Sequence, residues 1–233
     1  METVNLWKQK IYNRFLSTIL PKFFSHKKLN PPEIINERCP GIKLGGKLVK
    51  SIIFSTDLAI IENTHCDAVL AVYPFAPSVK VMESLIRFTD KPVICGVGGG
   101  VTKGNFSLQV ALEAEKLGAA AIIVNQPFPN NDLRKLAQKV KIPIISSASN
   151  ININFAARLE NGADIIHITG GKENHTIIEK LKSEFPYQPF ICTGGKSLAD
   201  IKNAVNSGAK AVVLSPPATA DLFRTLMDNY RAK

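Results

Sequence analysis

The 233-residue chain has no apolar run approaching the roughly 18 residues a membrane-spanning helix needs, so no such helix is expected. It has four cysteines and no C-x-x-C pair. Cys95 and Cys192 sit in apolar runs (PVIC and PFIC), where a thiol acts as a small buried hydrophobe. That usage fits a reducing, cytoplasmic setting. Charged and aromatic residues are mixed through Leu6–Phe24, which lacks the clean apolar stretch of a signal peptide. No G-x-S-x-G nucleophile elbow occurs. At 45% hydrophobic and 21% charged, with 15 Gly and 14 Pro, the composition excludes collagenous, low-complexity and largely disordered chains.

Charge is uneven. Lys plus Arg is 29 against 19 for Asp plus Glu, a net +10. Half of that surplus lies in the first 30 residues, where Lys8, Lys10, Arg14, Lys22, Lys27 and Lys28 face Glu2 alone. The remainder is thinly spread and not interleaved with aromatics. It reads as a solvated surface or a bias toward anionic ligands, and no nucleic-acid partner is expected.

What the chain does have is a repeated phrase. Leu117-Gly118-Ala119-Ala120-Ala121-Ile122-Ile123-Val124-Asn125 is echoed by Asn161-Gly162-Ala163-Asp164-Ile165-Ile166-His167-Ile168-Thr169, and again from Ser207-Gly208-Ala209 to Leu214-Ser215. Each follows an amphipathic helical pattern. The glycine ends the helix and a β-branched run begins. The spacing, 44 and then 46 residues, is twice a compact βα unit. Filling the gaps gives strands near 49–54, 68–73, 92–96, 120–125, 143–147, 164–169, 189–193 and 210–215, alternating with helices. Pro92, Pro143 and Pro189 open strands, where a missing N–H costs little. Apolar strands alternating with helices mean a parallel sheet. Eight such units predict an α/β fold, a single (β/α)8 TIM barrel at 41–233, with a doubly wound open sheet as runner-up.

Residues 1–40 lie outside that count and form an N-terminal basic helical extension. Leu6, Trp7, Ile11, Phe15, Leu16 and Ile19 recur at helical spacing until Pro21, and Asn30-Pro31-Pro32 reads as a linker. Such an apolar stripe packs on the barrel or on a second subunit, so a homo-oligomer is expected. Contact of residues 1–28 with an anionic membrane surface is the sharper alternative.

In such a barrel the chemistry sits just after each strand. By alternation, Asn125, His167, Thr169 and Ser215 share one face, with His167 one layer below the mouth. His167 is either a satisfied core histidine or a catalytic group. Thr193-Gly194-Gly195 runs from the seventh strand into a helix, and Gly170-Gly171 follows Thr169. Glycines let backbone N–H groups approach an anion, and a helix N-terminus adds positive potential. These residues are therefore candidate phosphate or substrate contacts, although Pro216 and Pro217 cannot donate from the last loop. Gly96–Gly100 matches neither nucleotide-binding glycine motif and reads as a mobile loop carrying Lys103. No His/Asp/Glu cluster marks a metal site. Asp57 is the one carboxylate firmly at a strand end, which disfavours a two-carboxylate glycosidase. What remains is Asp57 with Lys103, Lys172 and Lys196. Lys172, three residues past Thr169, is the best placed for a Schiff base.

The phrases Ile191-Cys192-Thr193-Gly194-Gly195 and Gly208 to Ser215 resemble the phosphate-binding half of aldolase-type and ribulose-phosphate-binding barrels. This resemblance covers about the last 80 residues. It departs from the aldolases at the sixth strand, where their lysine sits and here His167 stands. Residues 43–230 also resemble a bacterial barrel group that carries the general name hydrolase. The phrases shared are Gly45 to Phe54, Ala71-Val72-Tyr73-Pro74-Phe75, Cys95 to Gly100 and Ser215-Pro216-Pro217. No residue motif here supports that name, and the segment before about residue 29 is outside the resemblance. The resemblance implies a lyase or isomerase acting on a small phosphorylated carbonyl compound, with no cofactor required. Asp57, Lys172 and His167 are then the catalytic candidates. The alternatives are an FMN-binding oxidoreductase and a non-catalytic ligand-binding or regulatory barrel.

Overall fold

The structure is a computed structural model that describes residues 30–195 and 197–231. It opens with a short helix, α1 (Glu33–Arg38), and a hairpin of β1 (Ile42–Leu44) and β2 (Lys47–Val49). Eight strands follow: β3 (Ser51–Phe54), β4 (Ala68–Ala71), β5 (Val93–Gly98), β6 (Ala121–Val124), β7 (Ile144–Ala148), β8 (Ile165–Ile168), β9 (Phe190–Thr193) and β10 (Ala211–Leu214). They close into a parallel barrel in chain order, with β10 beside β3, so the fold is the expected (β/α)8 barrel and not an open sheet. Between the strands come α2 (Leu58–Glu62), α3 (Val79–Phe88), α4 (Gly104–Leu117), α5 (Asn130–Lys139), α6 (Phe155–Glu160), α7 (Asn174–Glu184) and α8 (Leu198–Asn206). The last helix is α9 (Thr219–Arg231). The N-terminal extension before residue 30 and Lys196 lie outside the described residues.

The strands are Ile-, Val- and Ala-rich because both their faces are buried. Ile52, Leu70, Ile94, Ile123, Ile165 and Ile191 point into the barrel. Their neighbours along the chain, such as Ile53, Val69, Cys95 and Ile166, face the helices in a second apolar layer. The hairpin plugs the bottom: Ile42, Leu44 and Val49 join the interior cluster. Gly41 N–H donates to the Lys210 carbonyl just below β10. Pro92, Pro143 and Pro189 stand at strand starts. They lack a donor, but their carbonyls accept from Val69, Ile122 and Ile166 of the neighbouring strands. Gly118, Gly162 and Gly208, which follow helices α4, α6 and α8, adopt φ of +97°, +96° and +87°. That left-handed conformation explains the glycine in the repeated phrase.

Pro31-Pro32 is not a free linker but leads into α1, whose Ile35 is fully buried in the outer core. Arg38 donates to Asn206 on α8.

Strand β5 has a register break: Gly96 pairs with Ile123 but Gly98 with Val124. Such a bulge re-aims the chain at a strand end. Here it carries Gly99 to Thr102 across the barrel mouth. A side chain at Gly98 would meet the Phe128 ring at 2.4 Å, so close packing requires the glycine.

Candidate active site at the barrel mouth

A cavity of about 170 Å³ lies at the carboxyl ends of the strands. Its polar lining is Asn125, Ser147, His167, Thr169, Thr193 and Ser215, contributed by β6 to β10 or the residues just after them. Leu70, Ile123 and Val213 are among its apolar walls. Strand parity brings these groups together: each stands an even number of residues beyond an inward-pointing core residue. Five of the predicted site residues, Asn125, His167, Thr169, Thr193 and Ser215, therefore share one cavity. Ser147, the register neighbour of His167 on β7, joins them. It was legible by the same parity.

His167 Nε2 lies 3.0 Å from Thr193 Oγ1. The Nδ1 atom is buried with no partner among the described residues. Burial pushes the His167 pKa from 6.5 down to about 4, so the ring is neutral at physiological pH. An orphaned buried N–H is rarer than an under-satisfied acceptor. On that basis the Nε2–H tautomer is assigned, donating to Thr193 Oγ1. The Thr193 hydroxyl proton is then free to point at a ligand oxygen. Asn174 holds Thr193 from behind, its Nδ2 donating to the Thr193 carbonyl at 3.1 Å.

The loops after β6 and β7 are tied into one support. Gln126 Oε1 accepts from the backbone and hydroxyl of Ser149 and from Asn150 N–H. Gln126 Nε2 donates to Asn150 Oδ1. Beneath them Arg158 is buried, donating to the carbonyls of Phe128 and Gln126. No ion-pair partner for Arg158 occurs among the described residues, and burial lowers its pKa. It fixes the loop that presents Asn125. Arg158 carried no sequence signal, because both its partners are backbone carbonyls.

The remaining candidates stand elsewhere. Asp57 caps α2, its Oδ1 accepting from Ala59 and Ile60, while Oδ2 accepts from Thr219 N–H at the start of α9. Burial works to raise its pKa; hydrogen bonds from Thr219 and the Ile60 and Ala59 amides outweigh that and lower it. Asp57 is thus an ionised double helix cap and does not line the cavity. Lys172 is exposed in a single 3-10 turn, Gly171–Glu173, after β8. Lys103 is exposed just before α4.

The glycine pairs have structural causes. Gly194 N–H donates to the Val213 carbonyl, and a side chain there would strike Val212 and Ile201 at 2.8 and 2.9 Å. Gly195 has φ +68° and abuts Asp200. Asp200 accepts from Ser197 N–H and Oγ in a capping box that closes the N-terminus of α8. The expected anion cradle therefore has one amide spent on the sheet and a carboxylate at its helix end. Gly170 is packed against Ile177, and Gly171 takes φ +61°.

A second cavity of about 150 Å³ adjoins the first, sharing Val72, Ile123 and Asn125. Both fall short of the roughly 300 Å³ at which ligand pockets usually begin. They suit a small molecule and give no support to FMN. A larger open hollow of about 590 Å³ lies at the opposite end, among Gly41, Lys43, Pro143, Pro189 and Lys210. It is below the strands, away from the face where barrel chemistry is built. Buried Cys66, Cys95 and Cys192 have pKa values pushed up to about 12 by burial, which removes them as nucleophiles. No helix among the described residues is long and apolar enough to cross a membrane.

No family model matches the chain. A curated relative, 4-hydroxy-tetrahydrodipicolinate synthase of Chlorobium chlorochromatii, is 26% identical over 183 positions, covering 66% of this chain. The chain spans about three-fifths (62%) of that protein's length. Among solved structures, 2,3-dimethylmalate lyase, a PEP mutase/isocitrate lyase superfamily member, is similar at TM-score 0.60. It is 12% identical, with 84% of this chain and 83% of that one covered. Phosphonopyruvate hydrolase in complex with oxalate and Mg++ is similar at TM-score 0.58 and 13% identity, with 78% and 79% covered. These likenesses show the fold, an aldolase-type (β/α)8 barrel. No group of three His, Cys, Asp or Glu could hold a metal among the described residues, and the oxygens of Asp57 are engaged by helix amides.

Proposed function

We propose that this barrel is a lyase or isomerase for a small anionic carbonyl compound of the 2-oxo acid class, phosphorylated or not. The observation that carries this reading is the His167–Thr193 pair inside a small, uncharged cavity at the carboxyl ends of the strands. A neutral imidazole donating to Thr193 leaves that hydroxyl aimed as a donor at a carbonyl or enolate oxygen. Asn125 and the hydroxyls of Thr169 and Ser215 serve the carboxylate. In such a site, fixed donors stabilise developing negative charge without reorganising. The names of the similar proteins, a dipicolinate-type synthase, a dimethylmalate lyase and a phosphonopyruvate hydrolase, support a 2-oxo acid theme.

The cavity lining among the described residues contains no lysine, so an imine would have to come from a strand-end loop. Lys172 retains that role in the proposal. Its amine would attack the carbonyl carbon and release water; the protonated imine would then take up the electron pair of the adjacent C–H bond as that proton passes to solvent water. Asp57 is given a capping role instead of proton transfer. Contacts of a substrate phosphate, where one is present, fall to Gly170, Gly171, Gly195 and Lys103. Gly194 is left out because its N–H is engaged.

The test is solvent deuterium exchange at C3 of pyruvate, followed by proton NMR, with borohydride trapping in parallel. Exchange above the uncatalysed rate, lost in Thr193→Val, is the expected result. A borohydride adduct at Lys172 identifies the imine route, and exchange without an adduct assigns enolisation at the hydroxyl-lined cavity. Absence of both exchange and calorimetric binding for pyruvate, oxaloacetate and phosphonopyruvate overturns the reading.

A further inference from the structure

The mouth has two unlike lobes. The first, described above, is rich in hydroxyl and amide groups. The second lies between Tyr73–Pro77 and the bulge-driven loop Gly98–Thr102. Its rim is apolar, with Pro74, Phe75, Pro77 and Val101, while Tyr73, Thr102, Asn125 and the backbone of Gly96 and Gly98–Gly100 supply polar groups deeper in. The Tyr73 hydroxyl oxygen accepts from Ser78 N–H at 2.6 Å, which fixes its ring at the edge of the lobe. No charged side chain lines this lobe among the described residues. Asn125 stands at the junction and lines both. The backbone of Gly99 passes against it, where a side chain would meet Asn125 Nδ2 at 3.1 Å. At the rim, Phe75 is 79% exposed and Val101 90% exposed. Two large apolar side chains left in water on either side of a cavity gain from an occupant that covers them.

We infer that the substrate is a 2-oxo acid bearing an apolar side chain, with its oxo-acid head in the hydroxyl-lined lobe and its side chain between Phe75 and Val101. The inference rests on the function proposed above and adds the second half of the molecule. A lobe of about 150 Å³ has the volume of about five waters. That admits a branched four-carbon chain or a phenyl ring, and a charged tail would meet no charged side chain among the described residues that line it.

The test compares pyruvate, which is a head alone, with 4-methyl-2-oxopentanoate, by calorimetry on the full chain. The branched acid is expected to bind about tenfold tighter or better, since each buried methylene favours binding. Gly100→Leu fills the second lobe. A first side-chain carbon at Gly100 meets nothing closer than Pro127 at 3.9 Å, so the variant can fold. It should reduce the branched acid to the affinity of pyruvate and leave pyruvate unchanged. Val101→Ser, at a residue already in water, should weaken the branched acid alone by a few-fold and checks the result independently of packing. Equal or weaker binding of the branched acid, or parallel loss of both ligands in Gly100→Leu, overturns the inference while the oxo-acid reading stands. Failure of both acids to bind overturns the two together.

Discussion

The bottom of the barrel and the cavity at its mouth use polar groups differently. At the bottom, carboxylates are spent on backbone amides. Asp67, just before β4, accepts from Lys50 and Ser51 N–H and the Ser51 hydroxyl at the start of β3. Asp164, just before β8, accepts from Ile144 N–H at the start of β7. Glu115 accepts from Lys141 and Ile142. Each acid replaces a rung that the parallel ladder cannot supply at its edge, and the β1–β2 hairpin seals the interior above them. At the mouth Asp57 and Asp200 likewise cap helices, but the cavity is lined by hydroxyls, amides and an imidazole, and His167 Nδ1 has no partner among the described residues. A closed end uses polar groups to finish the fold. An open end holds more hydrogen-bonding capacity than the chain itself uses, which is what a binding site requires.

If the bottom is purely a structural seal, damage there should cost stability and spare binding. Leu44 is 1% exposed in the interior cluster. Leu44→Ala should destabilise the chain by about 2–5 kcal/mol, read by denaturant unfolding. At a temperature where the variant is folded, pyruvate affinity should match the wild type. A parallel loss of affinity would mean that the ends are coupled and the comparison is wrong.

The mouth has its own thermodynamic signature. Folded His167 resists protonation until about pH 4, whereas in the unfolded chain it titrates near 6.5. Between those values unfolding takes up a proton, so stability falls as pH falls through the window and the contribution levels off below it. Each pH unit within the window costs about 1.4 kcal/mol. Urea unfolding from pH 7 to pH 4 should show this slope on top of the other titrations, and His167→Gln should lack it. An identical slope in the variant would show that His167 is not the buried base described here.

Thr193→Val keeps the shape of the side chain but strands His167 Nε2. The expected loss is about 1–3 kcal/mol of stability. Pyruvate C3 exchange should fall to the uncatalysed rate. Loss of stability with full exchange would make the pair a core contact and not a site.

How far this contrast was legible in the sequence depends on which rule governed each residue. Strand parity governs Asn125, His167, Thr169, Thr193 and Ser215, and parity brought them to one cavity without any knowledge of loops. Beyond the strand end parity no longer applies. Asp57, Lys103 and Lys172 could be assigned to the right end of the barrel but not to the cavity. The glycines after β9 were ambiguous, because a glycine needed for an anion and one needed to clear Ile201 read alike. The double proline before α1 was taken for a linker. Its carbonyl-rich, donor-poor stretch is equally a helix entry, and the burial of Ile35 decides between them. Arg158 was invisible because its hydrogen bonds to Phe128 and Gln126 are made with main-chain carbonyls.

The smallest expected effect on stability bears most directly on the chemistry. Lys172 is exposed, and no hydrogen bond or ion pair of its side chain occurs among the described residues. Lys172→Ala should therefore shift stability by no more than about 0.5 kcal/mol. Its effect on turnover separates two designs of the mouth. If the hydroxyl-lined cavity acts alone, the variant keeps C3 exchange and the wild type gives no borohydride adduct. If the turn after β8 folds Lys172 over the cavity, exchange disappears, the wild-type adduct maps to that residue, and Lys172→Arg fails to restore activity because a guanidinium does not form the imine. Restoration by arginine with no adduct leaves Lys172 as an anion contact for the substrate carboxylate. That would place the positive charge on an exposed surface turn and keep the cavity itself neutral, preserving the contrast between a site lined by hydroxyls and a base finished by carboxylates.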